Sequence, residues 1–456
     1  MSRKVVIIDG TRTPFLKSGT DYTDLMSYQL GQFAIKGLID KTGIDPAIVD
    51  KVVYGNVISN IKTENVAREA AVTAGIPVTA PAHTVKQACI SANQAIVSAA
   101  MSIMVGESDV VIAGGTDNTT DTPIGLRKEM RKKLFLNQKM STPKEYFAFL
   151  KSLEPADLVP EKPAVAEYIT GRTMGYDCEI LAQRYGVTRE EQDEFAVRSH
   201  RLAAKAYEDG HLQKEITPVL LPPAFKPIDR DNGVRGASSV EKLAKLKPAF
   251  DKYVGTITAA NASFLTDGAT AILLMSEDKA KELGLTPKAV IVDWAFTGQD
   301  LYDELLLGPA YATAKVLRKT GLTLEEMDVI EFHEAFAGQV LANLKCLADE
   351  EFCKNKLGWN QAVGQVDMDK FNTRGGSLSI GHPFGATGAR LATTAANRLI
   401  DEGGKYALLA ACAAGAHGHA MIIERYETTK QKAQKVAKEA IHKVEEILDK
   451  VEEKIG

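Results

Sequence analysis

Leu38 to Asn56 reads LIDKTGIDPAIVDKVVYGN, and Val316 to Glu334 reads VLRKTGLTLEEMDVIEFHE. Both carry the end of a helix pattern, Lys-Thr-Gly, a short acidic helix and an apolar strand closing on a polar residue, at an offset of 278 residues. A second pair follows in the same order. ACISANQAIVSAAMSIMVGESDVVIAGGTDN, from Ala88, matches HPFGATGARLATTAANRLIDEGGKYALLAACAAG, from His382, as loop, helix, glycine turn and buried strand. A duplicated unit constrains architecture more than any local propensity does. Helices alternating with near-continuous apolar strands predict crossover connections and sheets covered on both faces. The repeat therefore predicts two related α/β halves, over residues 1–119 with 249–275 and over 276–427.

Between them, residues 120–248 differ in texture, with Pro-rich turns and helix patterns over Cys178–Tyr185 and Arg189–Asp209, and read as an inserted loop domain. It opens on LRKEMRKKLFLNQKM (Leu126–Met140), where six basic residues alternate with Leu126, Met130, Leu134 and Phe135. A solvated amphipathic helix and a surface for anionic lipid or a partner both fit that pattern. From Thr428 onward, apolar residues at 437, 441, 444, 448, 451 and 455 follow heptad spacing, so 428–456 reads as an appended helical tail.

The 456 residues exceed one comfortable core, and 45% hydrophobic with 25% charged residues excludes a disordered chain. A net charge of -4 supplies no general field for phosphates, which argues against nucleic acid as a partner. The start, MSRKVVIIDG, enters a strand without a signal-length apolar stretch, and no run reaches the ~20 residues of a membrane span. A cytoplasmic protein is expected. Five scattered cysteines suit a reducing compartment rather than a disulfide framework.

Cys89, in VKQACISANQA, falls where a strand-like run gives way to a helix pattern. The helix start should stabilise its thiolate and lower its pKa, although an isolated cysteine is more often buried and inert. His382 lies in GGSLSIGHPFGATGAR, whose five glycines permit close backbone approach that a packing histidine would not need. Cys412, in ALLAACAAGAHGHAMIIE, can exchange a proton or simply pack between strands. His333, in VIEFHEAFA, can donate to a developing oxyanion or cap a helix. Cys412 with His417 and His419 lacks a well-spaced set of ligands, and no metal is expected.

The ordered motifs QACISANQA, HEAFA, GGSLSIGHPFGATGAR and CAAGAHGHA resemble those of the thiolase superfamily, and the resemblance runs from Lys4 to about Glu424. It implies two βαβαβαββ halves in a five-layered α/β/α/β/α core with a loop domain inserted in the first. It also implies Cys89 as the acyl-accepting nucleophile, His382 as its base and Cys412 as a second acid/base. Backbone N–H groups of Cys89 and Ala414 would hold tetrahedral oxyanions, and His333 with His382 the acetyl thioester oxygen. Many thiolases carry Asn where His333 stands; His there is typical of the thiolase subunit of the fatty-acid oxidation trifunctional complex, which PAVAEYITGRTMG and TAANASFLTDGA also resemble.

By the same similarity Arg235 and Ser263 would contact coenzyme A, Met174 would border the acyl pocket, and Leu126–Met140 would face membrane or partner. Coenzyme A enters as a substrate, with no tightly bound cofactor. The expected activity is thiolysis of medium- or long-chain 3-ketoacyl-CoA, as a homodimer or with a hydratase/dehydrogenase α subunit. Acetoacetyl-CoA formation, a decarboxylating ketoacyl synthase and a silent acyl-CoA-binding scaffold are the alternatives. One departure stands out: Gly415-Ala416 follows Cys-Ala-Ala where the family usually has Gly-Gly.

Overall fold

The computed structural model describes residues 3–161 and 165–428. The predicted tail, apart from Thr428, lies outside the described residues. The chain runs β1 (Val5–Arg12), α1 (Ser27–Thr42), β2 (Lys51–Gly55), α2 (Val66–Thr73), β3 (Ala82–Val85), α3 (Ser91–Met104) and β4 (Val110–Asp117). It then passes through α4 (Lys128–Leu136), α5 (Pro143–Lys151), α6 (Met174–Arg184) and α7 (Arg189–Glu208) before β5 (Thr266–Ser276). The second half comprises β6 (Ala289–Gly298), α8 (Gly308–Thr320), β7 (Val329–Phe332), α9 (Ala337–Ala348), α10 (Thr387–Asp401), β8 (Tyr406–Ala413) and β9 (His417–Arg425).

The strand order is β7-β8-β9-β6-β1-β5-β4-β2-β3. Read outward from the β6/β1 junction, one arm runs β1, β5, β4, β2 and the other β6, β9, β8, β7, so the repeat seen in the sequence becomes a repeat of topology. Among the described residues the two arms join strand to strand through the antiparallel pairs Val6–Val290 and Ile7–Ala289. Within each arm the pairs β2/β4 and β7/β8 are parallel and the rest of the shared order is antiparallel. The Lys-Thr-Gly elements end α1 and α8 on left-handed glycines, Gly43 (φ 66°) and Gly321 (φ 71°), which satisfy the last helical carbonyls without a Cβ clash.

Alternation along the strands sorts side chains into layers. Val5 and Ile7 join a central apolar cluster with α3 and α10, whereas Val6 and Ile8 face the outer cluster under α1 and α2. In β8, Ala407, Leu409 and Ala411 point to the centre, and Leu408, Ala410 and Cys412 to the outer cluster with α8 and α9. The layers are therefore α1/α2, sheet, α3/α10, sheet, α8/α9. The repeat is imperfect at one place. No regular strand matches β3 in the second half; one parallel bridge, Ile330–Phe371, occupies that position. Asn372 follows it with φ 44°, and its side-chain amide supplies the next rung, accepting from Phe332 N at 2.8 Å and donating to Phe332 O at 2.9 Å.

The inserted segment is less separate than its composition suggests. Cys178, Leu181, Phe195 and Val197 of α6 and α7 are buried in the outer cluster of the second half, whereas α5 has no buried residue and α4 buries only Met130. Among the described residues no helix is long and apolar enough to cross a membrane.

Two glycines let the loop ahead of α10 lie against the other half. A Cβ on Gly115 would stand 1.8 Å from the Gly385 carbonyl oxygen, and one on Gly388 would stand 2.1 Å from Asn93 Oδ1. Gly115→Ala should lower stability by ~1–3 kcal/mol through overpacking. Gly125→Ala, with nothing nearer than 3.8 Å, should leave it nearly unchanged. Denaturant unfolding of both variants checks this, and equal effects would contradict the close approach.

Candidate active site

Four connections converge at one end of the two half-sheets. After β3 the backbone turns left-handed at Ala88 (φ 45°) and presents Cys89 just before α3 begins. Ser91 Oγ clamps this turn, accepting from Gln87 N at 2.8 Å and donating to Ala88 O at 2.7 Å. His333 follows β7, its N–H donating to Ala410 O at 2.8 Å. The His382 N–H donates to Thr266 Oγ1 at 2.9 Å. Cys412 sits near the end of β8, opposite Gly418 of β9.

The Cys89 sulfur and one nitrogen from each of His333 and His382 lie within 4.8 Å of one another. The two imidazole centroids are 3.9 Å apart with planes tilted by 40°. Cys89 keeps partial access to solvent, whereas the other four cysteines are buried and none is in a disulfide.

The hydroxyls behind the imidazoles fix where their hydrogens sit. Thr387 donates its hydroxyl hydrogen to Pro383 O at 3.0 Å, so its oxygen accepts from His382 Nδ1 at 2.6 Å. His382 then carries its hydrogen on Nδ1 and offers a bare Nε2. Ser377 Oγ accepts from Arg390 Nη2 at 3.5 Å and directs its own hydrogen to His333 Nδ1 at 2.9 Å. The His333 tautomer that uses this donor carries its hydrogen on Nε2. Both Nε2 atoms are buried without a protein partner, so one base and one donor face the same space as the thiol.

Burial keeps the resting site uncharged. It lowers His382 to about 3, with the Arg390 charge adding to the effect, and holds His333 well below the ordinary imidazole range, reinforced by His382 and Arg390. Burial also pushes Cys89 up to about 12, the Asp117 charge reinforcing it, while the N–H groups of Ala414 and of Cys89 itself pull it back. Cys412 is raised well above the ordinary thiol value by burial and by Cys89. The shift runs opposite to the lowering of the Cys89 pKa expected at a helix start, because the thiol is desolvated.

Cys412, His417 and His419 do not converge. His419 is buried, with Nδ1 3.0 Å from Asn93 Nδ2, while Cys412 faces the opposite, outer layer. The sulfur and two imidazoles of Cys89, His333 and His382 are the donor types a zinc ion accepts, three ligands in number. Ser263 lies beside the His333 loop, its N–H donating to Ala335 O at 2.9 Å. Met174 opens α6 and packs on the second-half core, and Arg235 is exposed, its N–H donating to His200 Nδ1 at 3.2 Å. Thr387, Ser377 and Arg390 escaped the reading of the sequence. All three lie within the glycine-rich motif, but only the folded loop shows that they stand behind the two imidazoles.

The models of the thiolase N-terminal domain and the thiolase C-terminal domain match residues 5–278 and 285–425. The chain belongs to the thiolase family. It is 51% identical over 424 residues to the mitochondrial trifunctional enzyme subunit beta of Mus musculus, covering 93% of this chain and 89% of that one. It is 46% identical over 421 residues to the 3-ketoacyl-CoA thiolase of Serratia proteamaculans, covering 92% and 97%. The crystal structure of the Bacillus anthracis acetyl-CoA acetyltransferase superposes with a TM-score of 0.79 at 34% identity, over 93% of this chain and 99% of that one.

The departure from the thiolase Gly-Gly pair has a conformational cost. Ala416 has φ 54°, a left-handed conformation that disfavours a side chain by ~1–2 kcal/mol. Its methyl is buried in the outer cluster, and its carbonyl accepts from Gln299 N at 3.0 Å.

With the Cys89 thiol near 12, His382 near 3 and His333 held well below the ordinary imidazole range, thiolate is scarce across neutral pH and neither of these two imidazoles titrates there. Alkylation of Cys89 by iodoacetamide should therefore rise ~tenfold per pH unit from about pH 6 to about pH 9. A plateau below about pH 8, read by intact mass, would instead reveal a preformed thiolate.

Proposed function

We propose that this chain is a 3-ketoacyl-CoA thiolase that cleaves medium- and long-chain 3-ketoacyl-CoA to acetyl-CoA and a shortened acyl-CoA in fatty-acid β-oxidation. The observation that carries this reading is the convergence of the Cys89 sulfur with one nitrogen each of the buried His333 and His382, all within 4.8 Å of one another.

Cys89 gives its proton to His382 Nε2 as sulfur attacks C3 of the substrate. The N–H groups of Cys89 and Ala414 receive the oxyanion. The C2–C3 bond breaks, leaving an acyl thioester on Cys89 and the enolate of acetyl-CoA. The enolate oxygen takes hydrogen bonds from His333 Nε2–H and from the newly protonated His382, and Cys412 gives its proton to C2. Coenzyme A then enters, passes its thiol proton to Cys412 and attacks the acyl group. Cys89 leaves as thiolate and recovers its proton from His382, restoring every group. Covalent capture divides one difficult carbon–carbon cleavage into two acyl transfers. The neutral resting site serves this cycle, because charge arises only where a donor is already aimed.

Coenzyme A is a substrate here, and no tightly held cofactor is needed. Arg235 and Ser263 would contact it, and Met174 would border the acyl chain. The protein would act in a reducing compartment, read here as the cytoplasm, as a homodimer or with a hydratase/dehydrogenase α subunit. Exposed α4, with Phe135 and Leu136 each 70% accessible among basic residues, would supply peripheral membrane or partner contact. A second reading, acetoacetyl-CoA thiolase, draws support from the likeness to an acetyl-CoA acetyltransferase.

Thiolysis of 3-ketohexadecanoyl-CoA, measured against acetoacetyl-CoA, separates the two readings: greater kcat/KM on the C4 substrate would favour the second. Cys89→Ala should lose roughly 10³-fold or more of the activity. Without free coenzyme A, the wild-type protein should carry a tetradecanoyl adduct on Cys89 by mass. Robust turnover by Cys89→Ala would overturn the assignment.

A further inference from the structure

β4 ends beneath the Cys89 turn in Asp117, whose side chain is fully buried. Its Oδ1 accepts from Asn56 Nδ2 at 2.9 Å, Val57 N at 3.0 Å and Ile58 N at 2.7 Å. Its Oδ2 accepts from Gly385 N at 2.5 Å. One carboxylate thus ties the loop after β2, in the first half, to the turn that opens α10, in the second. Gly385 is three residues beyond His382, and its carbonyl lies over Gly115 with no room for a Cβ. The turn is held from both sides.

The donors around Asp117 suit an ion. Four distinct N–H groups point at two oxygens, a set that a carboxylate satisfies and an amide cannot. Burial raises this carboxyl to about 6, against the pull of the N–H groups of Ile58, Val57 and Gly385 and of the Lys86 charge, so it is ionised at neutral pH. Lys86 itself sits at the rim, donating to Ser59 Oγ at 3.0 Å. The negative charge of Asp117 acts on Cys89 from below, where it opposes a second negative charge.

We propose that Asp117 is a positioning residue for acyl transfer: through Gly385 it locks the turn carrying His382 onto the end of β4. The assignment rests on the thiolase reading of the site. The Asp117 charge also opposes a thiolate on Cys89, so loss of the carboxylate should act with opposite signs on the thiol and on turnover.

The test compares Asp117→Asn with the wild-type protein in two assays. Removing the charge should speed iodoacetamide alkylation of Cys89 at pH 7 by roughly three- to tenfold. Releasing the Gly385 turn should lower kcat for 3-ketohexadecanoyl-CoA thiolysis by ~10²-fold. A role confined to structural support would slow both reactions together, and an unchanged kcat would show that the turn does not depend on the carboxylate; either overturns the proposal. Asp117→Ser, which leaves space for water to meet the N–H groups, is read in the same way if Asp117→Asn does not fold. Failure of both to fold would mark Asp117 as support alone and likewise overturn it. A wild-type protein without thiolysis activity would overturn the thiolase reading, while the alkylation ratio would still decide whether the charge acts on Cys89.

Discussion

Everything in the site depends on two hydroxyls behind two buried imidazoles. Thr387 is committed as a donor to Pro383, so it can only accept from His382; Ser377 receives Arg390, so it is free to donate to His333. In water an imidazole exchanges tautomers freely. Here, exchange at His382 would require Thr387 to give up its donation to Pro383 O, at a cost of ~1 kcal/mol. The His382 tautomer is therefore a property of the fold, and the proposed base role follows from it while both imidazoles rest neutral.

Holding Thr387 and Ser377 in place requires α10 to be fixed along its length, and that helix is unusually polar for one at the centre of a protein. Arg398 pairs with Glu331 at 2.9 Å, and Arg390 stands 3.6 Å from the same carboxylate, with all three side chains fully buried. Thr394 and Asn397 donate to buried Glu215 at 2.9 and 3.2 Å. Ion pairs of this kind add little net stability but penalise any shift of the helix, because a broken pair leaves a buried charge uncompensated at ~3–5 kcal/mol. Register specificity at α10 thus reaches the site through Arg390, which touches both Glu331 and Ser377.

The architecture was legible in the sequence because duplication writes the same pattern twice: Lys41-Thr42-Gly43 and Lys319-Thr320-Gly321 end equivalent helices, and the strands after them enter equivalent positions. Asn372 was not legible. A single left-handed Asn replacing a strand leaves no periodicity to detect, since its side-chain amide does the work of the backbone. The four candidate residues Cys89, His333, His382 and Cys412 could be picked out by motif order, but the ionisation of Cys89 could not. Helix-start chemistry is local and visible in sequence, whereas desolvation and the charge of Asp117 arise from contacts between distant segments. Likewise, the buried contributions of α6 and α7 were hidden by the Pro-rich turns around them.

Duplication would by itself produce two equivalent sites, and the molecule has one because equivalent positions diverged in size as well as chemistry. At the offset that aligns α3 with α10, Cys89 corresponds to Gly385 and Cys412 to Thr116; at the offset of the first repeat, His333 corresponds to Gly55. A Cβ at Gly55 would stand 2.6 Å from the backbone of Ser91 and 2.8 Å from the Gly385 oxygen. A histidine there would push the two halves apart. The half that carries Cys89 thus gave up bulk at Gly55 where its counterpart kept His333, and the half that carries His382 gave up a side chain at Gly385 where its counterpart kept the thiol. Both losses were needed together, because the Gly385 turn can settle on Gly55 and Gly115 only if none of the three carries a side chain. One asymmetric site is the arrangement that close packing of two similar halves permits.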